Sequence, residues 1–114
     1  MKTHIIYLLF TFCILSGIYA QNVSISGRVT DAKGEPVAFA NIALQRMDSS
    51  FVTGCTSDDK GSFKMQGLTV DNYLLQVSFV GYVPQVFRLD NLNRPLDIGD
   101  IILMEDAVML EGVT

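Results

Sequence analysis

Short runs in which large apolar residues occupy every second position recur along this chain. They constrain its fold more than any other feature, because strand side chains alternate between two faces and helical side chains do not. The fullest example is residues 58–82, DDKGSFKMQGLTVDNYLLQVSFVGY. Asp58, Asp59, Lys60 and Gly61 open it with turn chemistry: carboxylates accept hydrogen bonds from nearby backbone N–H groups, and glycine enters the positive-φ region without steric cost. Phe63 and Met65 then alternate with Ser62, Lys64 and Gln66, which predicts a half-buried strand. After a connection over 67–72, Tyr73, Leu75, Val77 and Phe79 share one face. Leu74 is the only large apolar residue on the other, beside Gln76 and Ser78. Such a strand belongs in the middle of a sheet.

The same period organises the rest of the chain. Val23, Ile25, Gly27 and Val29 alternate with Ser24, Ser26, Arg28 and Thr30 in a first strand, which a turn over 31–36 reverses through Asp31, Gly34 and Pro36. Ala40, Ile42 and Leu44 then oppose Asn41, Ala43 and Gln45, with small Ala38 and Ala40 permitting close approach. A polar loop over 46–50 precedes a third strand over 51–56, rich in β-branched Val52, Thr53 and Thr56. Pro84 cannot donate to a ladder, so the strand over 83–89 begins at an edge or a bend, and the rest of that edge is available to a strand from another protein. A turn-rich connection over 90–95 leads to a last strand over 97–103, with Ile101 and Leu103 inward and Gly99 where backbones pass closely. Seven short strands separated by turn signals, without helical periodicity, predict an all-β fold: a seven-stranded antiparallel sandwich with Greek-key connections. Its expected core is Ile25, Val29, Ala40, Ile42, Leu44, Phe63, Met65, Leu68, Tyr73, Leu75, Val77, Tyr82, Ile101 and Leu103.

The first 20 residues read differently. Lys2, an apolar run over 5–15, and the small residues Ser16, Gly17 and Ala20 have the three-part form of a secretory signal-peptide helix. Phe12 stands before Cys13, where a lipoprotein signal needs small residues. Removal of 1–20 takes away His4 and Cys13 and leaves 94 residues, enough for one small domain, with Cys55 as the only cysteine and no histidine. An internal disulfide, a Ser-His or Cys-His pair, and a histidine or thiolate zinc centre therefore have no residues to form from. The mature chain carries 7 Lys and Arg against 12 Asp and Glu, a net charge of −5, with no basic cluster, so nucleic acid is not an expected partner.

The remaining candidates each have a plainer role. The carboxylate pairs Asp58 with Asp59 and Glu105 with Asp106 suit turns and solvated surface, because neighbours on a strand or turn point apart. Asp58-Asp59-Lys60-Gly61 lacks the alternating ligands and distal glutamate of a calcium loop. Cys55 is expected to be a buried or half-buried, inert thiol, and Tyr82 a corner residue packed under a bend. No catalytic, cofactor-binding or metal-binding residue is predicted. Residues 105–114, without periodicity and containing Glu105, Asp106, Glu111 and Gly112, read as a linker.

Three segments together, SISGRVTDAKGEPVAFANIAL, FVTGCTSDDKGSF and YLLQVSFVGYVPQ, resemble the carboxypeptidase regulatory-like domain. The resemblance rests on the G-x-V-x-D-x-x-G-x-P run from Gly27 to Pro36, the D-x-x-G-x-F turn from Asp58 to Phe63, and the V-G-Y corner from Val80 to Tyr82. It covers residues 21–104 and implies a transthyretin-like (prealbumin-like), Ig-like sandwich with no required active-site residues. Directly behind a signal peptide, such domains are typical of the N-terminus of TonB-dependent outer-membrane receptors of Gram-negative bacteria. The resemblance therefore implies a non-enzymatic periplasmic module serving folding, docking or signalling. Its partners would be the plug and β-barrel of the same longer protein, or other cell-envelope proteins, and residues 105–114 would lead toward the plug. The alternative is a free-standing exported module that binds a protein or glycan.

Overall fold

Two aspartates shape two turns of the same construction. Asp31 Oδ1 accepts hydrogen bonds from the N–H groups of Lys33 and Glu35, and Asp58 Oδ1 accepts them from Lys60 and Ser62, all at 2.9 Å. In each, the glycine three residues on donates back to the aspartate carbonyl, Gly34 at 3.0 Å and Gly61 at 2.9 Å. Both glycines have positive φ, 82° and 79°. The structure, a computed structural model, describes residues 23–107, so the predicted leader over 1–20 and the tail over 108–114 lie outside it.

Between such turns run seven strands: β1 (Ile25–Thr30), β2 (Asn41–Arg46), β3 (Phe51–Thr56), β4 (Ser62–Met65), β5 (Asp71–Ser78), β6 (Gln85–Leu92) and β7 (Leu96–Ile102). They form a three-stranded sheet in the order β4-β1-β7 and a four-stranded sheet in the order β3-β2-β5-β6. The predicted all-β sandwich is thus the observed architecture, and β5 is an interior strand as its pattern required. Ile42 and Leu44 of β2 lie opposite Val77 and Leu75 of β5. These four side chains face Ile25, Val29, Phe63, Met65 and Ile101 of the other sheet in one buried cluster. Tyr73 joins it because its hydroxyl finds a partner, donating to the Thr69 carbonyl at 2.7 Å.

Several expectations need correction. One pairing, β1 with β7, is parallel; the pairings β1–β4, β2–β3, β2–β5 and β5–β6 are antiparallel. Side-chain alternation has the same period in either direction and does not encode this difference. The region 90–95 is not all connection, since β6 continues to the buried Leu92. Asn91 takes φ 50° there, and its N–H is held by Asn72 Oδ1 at 2.7 Å, which makes a bulge against β5. Gly99 has open space around it and φ 82°; the close approach belongs to Gly27, whose missing side chain makes room for the Phe63 ring and the Gly99 carbonyl. Tyr82 is half-buried beside the core rather than within it, with its ring 6.0 Å from that of Phe79. Val23, Val37 and Leu92 are buried although the expected core did not include them; Val23 shares the alternating face of Ile25 and Val29.

Candidate interaction surface

Among the described residues, no group of three or more His, Cys, Asp or Glu side chains comes together. The carboxylate pairs do not assemble into a site either. The Asp58 carboxylate is occupied by its own turn, and the Glu105 backbone forms a β-bridge with Tyr82 that leaves its side chain exposed. Cys55 faces inward from β3, half-buried, and burial pushes its thiol above the ordinary range, so the protonated form dominates at neutral pH. It borders a shallow concavity of about 590 Å³ between β3 and the three-stranded sheet, lined also by Arg28, Phe63, Lys64, Asp97 and Asp100. Its lining mixes both signs of charge. The surfaces of the domain carry the remaining features of note.

The two outer faces differ in charge. Across the three-stranded sheet, Ser26 lies between Lys64 and Asp97, and Arg28 between Ser62 and Asp100. Across the four-stranded sheet the rows are Phe51, Gln45, Leu74 and Arg88, then Gly54, Ala43, Gln76 and Val86. Arg88 is the single charge in those rows. Its Nε donates to Asp90 at 2.8 Å, an exposed pair that raises the guanidinium pKa and contributes little to stability.

The edges differ too. Residues 83–89 were expected to offer an edge, and β6 is the outer strand on that side. Pro84 guards its start and the Asn91 bulge its end. The opposite outer strand, β3, contains no proline and no charged residue.

One end of the sandwich gathers exposed apolar side chains. Phe39 stands just before β2 with φ 63°, unusual for a bulky residue. Ser57 holds it there: the Phe39 N–H donates to the Ser57 carbonyl at 3.0 Å, and the Ala40 N–H to Ser57 Oγ at 2.9 Å. The Ser57 hydroxyl in turn donates to the Val37 carbonyl at 2.7 Å, with Ser57 itself buried. Asn41 pairs with Ser78, so this loop adjoins the end of β5 and the corner that follows. At that corner Val83 N–H donates to the Met104 carbonyl at 2.8 Å and Asp106 N–H to the Gly81 carbonyl at 2.9 Å. The segment read as a linker therefore begins as a strap tied to the domain. Phe39, Val80, Val83 and Met104 are 67%, 83%, 42% and 51% exposed. Sequence reasoning singled out the Val80-Gly81-Tyr82 corner but not Phe39 or Ser57. Left-handed backbone at a phenylalanine leaves no compositional trace.

The model of the family described as carboxypeptidase regulatory-like domain matches residues 24–99. TonB-dependent receptor SusC of Bacteroides thetaiotaomicron is 36% identical over 95 residues, which cover 83% of this chain and 8% of that receptor. The chain thus spans under a tenth of that relative's length. Among solved structures, the major pilin subunit BcpA of Bacillus cereus aligns with a TM-score of 0.60 at 13% identity, covering 74% of this chain and 30% of that one. The 3-chlorocatechol 1,2-dioxygenase of Rhodococcus opacus aligns at 0.51 with 11% identity, covering 73% and 59%. A pilin and an oxygenase on one scaffold show the fold that this chain shares with them, and fold does not assign activity.

Proposed function

This chain belongs to the carboxypeptidase regulatory-like domain family, and from that premise we propose that it is the non-enzymatic N-terminal module of a TonB-dependent outer-membrane receptor. In this reading the leader over 1–20 exports it, the domain over 21–104 stands on the periplasmic side of the outer membrane, and residues 105–114 lead to the plug and barrel of the same protein. The observation that carries the reading is the 36% identity to a TonB-dependent receptor across 83% of this chain. Two further observations support it. The mature sequence has no histidine, and the Asp31 and Asp58 carboxylates are committed to their own turns. The domain's work is then contact: folding, docking or signalling for the rest of the receptor.

Deleting residues 23–104 from the complete receptor, with the leader and the remainder kept, tests this. Loss of receptor from the outer membrane identifies a folding role. Normal receptor abundance with failed growth on the nutrient it imports identifies docking or signalling. Normal abundance and normal growth overturn the reading.

A further inference from the structure

We propose that the end of the sandwich bearing Phe39, Val80, Val83 and Met104 is a docking surface for the polypeptide that continues beyond residue 107. This inference rests on the receptor-module reading above and specifies which face of the module meets the rest of the protein.

A left-handed backbone is unfavourable for any side chain with a Cβ and is usually left to glycine or asparagine. Phe39 adopts it with φ 63°, and Ser57 fixes it through its carbonyl and its buried hydroxyl. The result is an aromatic ring held 67% exposed. Strain that presents a large apolar group to solvent gains nothing inside the domain. It is the arrangement of a contact made with something else.

Phe39 is bonded to Ser57, Asn41 just beyond it pairs with Ser78, and Val83 is bonded to Met104, so these elements adjoin in sequence across one end of the molecule. Val80 and Met104 stand on that end, 83% and 51% exposed. Asp58, Asp59 and Lys60 line one concavity with Phe39, and exposed Glu105 follows Met104, so charged side chains accompany the apolar ones at this end.

Leu103 N–H donates to the Thr30 carbonyl and Asp106 N–H to the Gly81 carbonyl, so the strap releases the chain beside Val80 and Val83. In a receptor of SusC's length, more than nine-tenths of the polypeptide lies outside the stretch that this chain matches, and in the receptor-module reading it follows residue 107. Its first residues begin next to this surface, tethered and at high effective concentration.

Hydrogen–deuterium exchange on the complete receptor and on the 114-residue chain tests the inference. The amides of residues 38–40 and 80–83 are expected to exchange at least tenfold more slowly in the receptor. Phe39→Ser with Val80→Ser should erase that difference while Leu75 and Val77 stay protected. Should the double variant lose β5 protection, Val80→Ser alone provides the same comparison, since Val80 is the most exposed of the four side chains. Equal exchange in both proteins overturns the inference alone. Slowing in the 114-residue chain on adding phosphatidylethanolamine–phosphatidylglycerol vesicles overturns it in favour of a membrane contact. A native species no longer than this chain overturns both the inference and the reading beneath it.

Discussion

Gly34 and Gly61 hold equivalent places in the two Asp-x-Lys-Gly turns, yet an added methyl group meets different surroundings at each. At Gly34 it enters open space and pays only for the left-handed backbone, about 1–2 kcal/mol. At Gly61 it also runs into the Val29 carbonyl, beside the 2.7 Å bond from Val29 N–H to the Gly61 carbonyl. Overpacking adds about 1–3 kcal/mol, so Gly61→Ala should cost roughly 2–5 kcal/mol in denaturant unfolding and clearly exceed Gly34→Ala. Cys55 gives a second residue-scale prediction. Because burial raises its thiol pKa, iodoacetamide should react with it more slowly than with a fully exposed cysteine at pH 8, and the rate should still be climbing above 9.0, the ordinary thiol value. At this scale the Asp and Gly positions were legible, since each carries its turn preference in its own side chain. Phe39 was not, because its conformation is imposed by Ser57, eighteen residues away.

Strands were legible where alternation is strong, and their edges only in part. Pro84 by its chemistry alone marks the start of β6 as an edge or a bend, whereas the far end of β6 lies beyond the expected 83–89 because the Asn91 bulge depends on an Asn72 side chain across the sheet. The neutrality of β3 is visible in its sequence, yet only the sheet order reveals that β3 is an outer strand. Phe51 lies on its outer face with its ring against Gly54, covering a position that has no side chain of its own. Phe51→Lys should therefore lower stability by about 0.5–1 kcal/mol through the lost packing. The same substitution places a charge on the undefended edge, so light scattering on warming should begin at a higher protein concentration than in the wild type.

The whole molecule depends on one core between the two sheets, with Cys55 a free thiol and no covalent cross-link among the described residues. Leu75, fully buried and opposite both Leu44 and Phe87, is central to it, and Leu75→Ala should cost about 2–5 kcal/mol in thermal or denaturant unfolding. Thirteen of the fourteen core residues expected from alternation are buried, because inward parity and burial are the same physical fact in a two-layer fold. Strand direction, the tied strap and the apolar end were not readable, since each arises from contacts between distant segments. The central claim is that this domain is the leading part of a much longer receptor. Its most direct test is the mass of the native protein in separated periplasmic and outer-membrane fractions, detected with an antibody against residues 21–104. The account predicts an outer-membrane species several times larger than this chain; a small soluble periplasmic species alone would contradict it.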